Sequence, residues 1–173
     1  MASTLSVDNI QGATTAANVK MPEGHIVQTV QFLRKGGITA DANRPTSSLV
    51  AIDSSTFVDV MSKTITTKFA NSKIYVSMNC VAYDGASTIR IMTKVLRNST
   101  EINADEYGVY ANASQMVNYV VNMIDSPNAA AGTSLTYKLQ GARQSGSSTD
   151  TTFGYADSGG GGSASIVLME IAQ

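Results

Sequence analysis

A hydrolase or group-transfer enzyme needs a nucleophile beside a base, two carboxylates at working separation, or a cage of metal ligands. This sequence is poor in all three. Its one histidine, His25, follows directly on Pro22–Glu23–Gly24, and any serine triad would have to use it. No serine sits in a Gly-x-Ser-x-Gly elbow, so His25 reads as a strand-start or interface residue. A single imidazole builds no metal site within one chain. Three copies on a trimer axis could supply three rings, but no residue is in place to orient them. Asp105–Glu106 are neighbours that a strand would point to opposite faces, the wrong geometry for a glycosidase pair, and read as solvated loop charges. Asp53 and Asp59 flank a strand-like run and read as edge polarity. No alternating Asp/Asn loop offers calcium its oxygen ligands. The glycine run 159–162 has no Lys–Ser/Thr after it and opens no helix, so it is a surface loop and not a phosphate cradle. Cys80 lies inside an apolar run, where packing outweighs reactivity. The expectation is a protein that is not an enzyme and carries neither metal nor cofactor.

The elements that would position any site follow from composition. The chain has 173 residues, enough for one domain with a short appendage, and large enough to form a core without disulfides. Hydrophobic residues make up 43%, but charged residues only 14%, against about 25% in typical soluble domains. Twenty Ser, 18 Thr and 11 Asn replace the missing charge, and Glu occurs only four times. Helices solvate their outer faces with Glu, Lys and Arg, whereas Ser, Thr and Asn favour strands, turns and caps, which argues against an all-helical protein. Net charge is −1 with no basic cluster, which argues against nucleic acid as a partner. The lone cysteine excludes an intramolecular disulfide and a cysteine-rich zinc site. No apolar stretch approaches the ~20 residues that span a bilayer, and no basic-then-apolar leader opens the chain; the expected product is soluble, without membrane insertion.

Residues 1–24 differ from the rest. They hold no aromatic residue and only spaced apolar positions, Leu5, Val7, Ile10, Val19 and Met21, before a Pro-Glu-Gly hinge. Such a segment cannot offset its own ordering entropy, so it is either a disordered tail or an arm ordered against another chain. Residues 25–173 form the body. Alternating or β-branched runs occur at Ile26–Leu33, Leu49–Ile52, Phe57–Met61, Thr64–Thr67, Lys73–Tyr83, Thr88–Leu96, Gln115–Ile124, Ser134–Ala142 and Ile166–Ile171. Turn signals separate them, Asp84–Gly85 and Asp125–Asn128 among them. A helical alternative exists only over Ala104–Tyr119, and Gly108 weakens it. The pattern predicts an all-β domain, an antiparallel sandwich or jelly roll.

Several stretches in order resemble a family of tailed-bacteriophage virion proteins. They are Leu5–Gln11 and Met21–Gly24, Phe57–Val60, Thr64–Lys68, Ser72–Val76, Val95–Asn98, Ile124–Pro127, Thr136–Gln140 and the terminal Ser165–Ile171. The resemblance spans nearly the whole chain, each motif being short. It implies a homotrimeric fibre, spike or knob with a tumour-necrosis-factor-like jelly-roll body, located in the virion after assembly in the host cytoplasm. Residues 1–24 would be the virion-attachment arm, and the partners other copies of the chain and other virion proteins of capsid or tail. The chain is too short for a long tail-fibre shaft, which leaves a short head fibre or a capsid decoration protein open. Low charge with abundant Ser, Thr, Asn and Tyr suits a surface that binds host glycans. Tyr107, Tyr110, Phe153 and Tyr155, in or near expected loops, are the first aromatics to test for that contact, with packing beneath the loops as the alternative.

Overall fold

The computed structural model describes residues 22–34, 50–51, 55–84, 89–111, 115–145, 152–153 and 164–173. Every regular element among them is a strand: β1 (Ile26–Arg34), β2 (Val50–Ala51), β3 (Val58–Thr66), β4 (Lys73–Asp84), β5 (Ile89–Arg97), β6 (Thr100–Ala111), β7 (Gln115–Asp125), β8 (Ser134–Ser145), β9 (Thr152–Phe153) and β10 (Ala164–Ile171). No helix among the described residues is long and apolar enough to cross a membrane. The stretch with a helical alternative, 104–119, is strand on both sides of residues 112–114.

The pairings describe one long ribbon folded on itself. β5 and β6 form a tight hairpin around Asn98 and Ser99, and moving outward β4 pairs β7, β3 pairs β8 and β1 pairs β10, all antiparallel. Two cross-pairings, β10 with β4 and β5 with β8, wrap this ribbon into two sheets. The first runs β1-β10-β4-β7 and the second β3-β8-β5-β6, with the short β9 and β2 continuing the first beyond the start of β10. This winding is a jelly roll.

Two-residue alternation puts one side of each strand between the sheets. Ile74, Val76, Met78, Cys80 and Ala82 of β4 and Ala164, Ile166 and Leu168 of β10 face Ile91 and Val95 of β5 and Leu135, Tyr137 and Leu139 of β8. Each of the Val, Ile, Leu and Met side chains among them, fully buried, contributes on the order of 2 kcal/mol of transfer free energy. β3 departs from strict alternation, because a bulge between Asp59 and Met61 lets the consecutive residues Val60 and Met61 both enter the core.

Asparagine supplies the corners. Asn71, Asn98 and Asn128 have φ of 59°, 55° and 50°, the left-handed region that Asn tolerates better than most side chains. Asn98 is also tied to β8: its backbone N–H donates to the Thr136 carbonyl at 2.6 Å, and its Oδ1 accepts from the Thr136 N–H at 2.9 Å.

Candidate interaction surfaces

The buried polar groups are bonded within the protein and belong to the fold. Arg97 and Tyr137 are register partners on neighbouring strands of the second sheet, and both reach across to Asp125 at the end of β7 in the first. Arg97 Nη1 donates to Asp125 Oδ1 at 2.7 Å and Oδ2 at 2.8 Å, and the Tyr137 hydroxyl donates to Oδ2 at 2.7 Å. Burial and the adjacent carboxylate push the Tyr137 phenol well above its usual range, so it stays a donor.

Glu170 of β10 has no exposed surface. Its carboxylate accepts from the backbone N–H groups of Lys68 and Phe69 and from Gln28 Nε2, pinning the loop between β3 and β4 onto β1 and β10. Thr93 donates to the Tyr119 hydroxyl at 2.7 Å, a third bridge between the sheets. Each group holds a partner within the fold, and among the described residues no three His, Cys, Asp or Glu side chains gather as a metal cage. Cys80 is buried in the core, and burial pushes its thiol up to about 12, leaving it an un-ionised hydrophobe.

The fold has two distinct ends. Registers place the end of β1, the end of β4, the starts of β5, β7 and β10, and the ends of β6 and β8 together at one end. The segments 35–49, 85–88, 112–114, 146–151 and 154–163 all depart from that end. At the other end lie the short turns at 67–72, 98–99 and 126–133 together with Pro22–His25 and the C-terminal residues. Gly24 N–H donates to the Ala172 carbonyl at 3.0 Å and Ala172 N–H donates to the His25 carbonyl at 2.9 Å. The expected Pro-Glu-Gly hinge is thus a turn laced to the C-terminal strand, and His25 sits exposed beside it at the strand start.

The proposed binding aromatics distribute as follows. Tyr107 and Tyr110 lie within β6, Tyr110 paired with Arg90 of β5 one residue before the strand ends and Tyr107 at the register shift between the Val109 and Asp105 pairs. Tyr110 is 55% exposed near the end of β6, with the Arg90 guanidinium 5.9 Å from its ring centroid. Phe153 is likewise in a strand, β9, paired with Val50 and Ala82 at the same end. Tyr155 lies outside the described residues, as do Leu5, Val7, Ile10, Val19 and Met21 of the arm. Asp59, read as edge polarity, pairs with Lys138 Nζ at 2.9 Å and accepts from Gln140 Nε2 at 2.6 Å; Gln140 and then Lys138 hold its carboxyl below the usual value.

The sequence matches no family model, and no curated protein matches it. Solved structures share its fold. A chain of the T13 viral particle of infectious bursal disease virus superimposes with a TM-score of 0.52 at 9% identity, covering 84% of this chain and 32% of that one. The VP2 subviral particle of the same virus gives a TM-score of 0.51 at 9% identity, over 84% of this chain and 34% of that one. The chain thus spans about a third of each. At this identity the likeness is one of fold: both contain a domain wound like this one.

Proposed function

We propose that this chain is a non-enzymatic virion structural protein, a short trimeric knob held on the particle by residues 1–24. Its loop-bearing end faces outward toward a host-surface glycan. The observation that carries this reading is the polarity of the domain. Pro22, which follows residues 1–21, lies at the end with short turns, while the strand ends that lead into 35–49, 85–88, 112–114, 146–151 and 154–163 lie at the far end. Chain entry at one end and the longest interstrand connections at the other suit a projecting knob, since contacts are commonly carried on connections raised by a rigid scaffold. The shared fold with domains of viral particle proteins supports a structural role in a virion.

Deletion of residues 1–21 tests the anchor. The truncated body keeps every bond described above, including those of Gly24 and His25 to Ala172. The expected result is a folded protein missing from purified particles; normal incorporation would refute the anchoring role. Particles that lack the whole protein and adsorb to cells normally, yet burst at lower temperature, would assign it to capsid decoration instead.

A further inference from the structure

The two outer faces of the sandwich are chemically unlike. On the β3-β8-β5-β6 face the described outward residues include Asp59, Lys138, Arg90, Lys94 and Glu101, joined by hydroxyl pairs such as Thr64 with Thr136 at 2.7 Å. On the β1-β10-β4-β7 face the registers align Ile124, Tyr75, Met169 and Thr29 in one row, and Asn122, Ser77, Val167 and Gln31 in the next. Val120, Asn79, Ser165 and Leu33 form the third row. Lys73, at the margin, is the one charged side chain among the described residues of this face. Met116, Val120 and Ile124 of β7 are 53%, 52% and 58% exposed.

The margin at β7 is as unguarded as the face. Among the described residues β7 pairs only with β4, so its other edge presents backbone donors and acceptors. Exposed edges are normally blunted by charge, proline or bulges, yet residues 115–124 contain no Lys, Arg, Asp, Glu or Pro. The edges of the other sheet do carry charge: Asp59 and Lys63 on β3, and Glu101, Asp105 and Glu106 on β6. Depletion of charge with retention of Met, Tyr and aliphatic side chains is the composition of an interface centre.

We infer that the outer face of the β1-β10-β4-β7 sheet, together with the free edge of β7, is the surface through which copies of this chain associate. A second copy fits because the face is close to neutral. Residues 115–124 of the β7 edge are uncharged and the face carries only the marginal Lys73 among its described residues, so setting the edge of one copy on the face of the next buries no carboxylate. Area limits each contact. Four strands about 4.8 Å apart give the face a footprint of roughly 500 Å², below the ~800 Å² per partner of a standard interface. A single contact on this face is therefore undersized. A closed ring, in which the β7 edge of one copy lies against the face of the next, gives every copy two such contacts, and closure makes the last of them intramolecular. Three as the number of copies rests on the knob reading; the choice of surface does not.

The test is light scattering of the full chain over micromolar to tens-of-micromolar concentrations. It compares wild type with Val120→Lys/Ile124→Lys and with the control Ser62→Lys/Ser134→Lys on the opposite face. All four positions are exposed, so folding is retained. The expected result is a wild-type oligomer, a control that matches it, and a β7 variant whose association is weaker by about a hundredfold. Amide exchange on wild type is a second readout: β7 amides not bonded to β4 should gain protection as concentration rises. A wild-type oligomer indifferent to the β7 lysines, or β7 exchange independent of concentration, would overturn the surface and leave the knob reading standing. A wild-type monomer would overturn the surface and the trimer together.

Discussion

Arg97 and Asp125 meet across the interior of the sandwich, one guanidinium nitrogen lying 2.7 and 2.8 Å from the two carboxylate oxygens. Twenty-eight residues apart in the chain, they come from opposite sheets, and the Tyr137 hydroxyl completes the cluster. Their contact ties the β4-β7 pair to the β5-β8 pair beside the short-turn end.

Removing the acceptor should be costly, because it strands two donors. Asp125→Ala is expected to destabilise by about 3 kcal/mol, leaving a largely buried guanidinium and a phenol without their partner. The combined Arg97→Met/Asp125→Leu/Tyr137→Phe replacement removes donors and acceptor together and should be markedly less destabilised than Asp125→Ala alone. Urea midpoints for the two proteins decide it. Equal losses would mean that packing volume, and not the ion pair, sets the effect.

Glu170 supports a second prediction. Glu170→Gln keeps the shape but turns one acceptor oxygen into a donor facing the Lys68 and Phe69 N–H groups or Gln28 Nε2. A loss of about 2 kcal/mol is expected, with protease cleavage in the 67–72 loop faster than at other turns. Cleavage unchanged in that loop would show that the carboxylate does not hold it.

Alkaline pH should weaken the fold through two buried acids. Cys80 is raised by burial from 9.0 to about 12, and Tyr137 is raised from 10.0, first by burial and then by Asp125. A raised folded pKa leaves its contribution whole below the unfolded value and removes it as pH rises, since the unfolded chain ionises first. Stability should thus decline from about pH 9 by up to ~1.4 kcal/mol per pH unit for the thiol, with the phenol adding its share above about pH 10. Cys80→Ala, at about 1–2 kcal/mol for the cavity at neutral pH, should flatten the first part of that decline. An unaltered pH profile in Cys80→Ala would exclude the thiol as its source.

Much of this architecture is legible along the chain because its strands alternate. In β10 the alternation even places Glu170 in phase with Ala164, Ile166 and Leu168, so an inward carboxylate could have been read from spacing alone. β6 was not legible. Its sequence TEINADEYGVYA carries two carboxylates mid-strand and a glycine, the composition of a loop or weak helix, and only pairing with β5 makes it a strand. That the edge strand of its sheet is charged is what edge protection demands, and the same charges hide it from a propensity argument. The Asp125–Arg97–Tyr137 cluster had no local signal, since winding the ribbon into two sheets is what joins its members. The Pro22–Gly24 turn reads as a break, but its lacing to Ala172 depends on a terminal strand nearly 150 residues away.

The placement of Tyr110 yields the last prediction. Its ring is more than half exposed near the end of β6, with the Arg90 guanidinium beside it. An aromatic face with a neighbouring donor is a suitable platform for a sugar ring, and truncating it removes little packing. Tyr110→Ala should therefore leave the urea midpoint within about 0.5 kcal/mol of wild type while lowering retention of the labelled protein on host cells several-fold. Tyr110→Phe should retain most of that binding if stacking, and not the hydroxyl, carries the contact. Arg90→Ala should lower retention without abolishing it, because it removes a donor and leaves the ring. Unchanged retention by Tyr110→Ala would move any host contact away from this end of β6 and onto the loops alone.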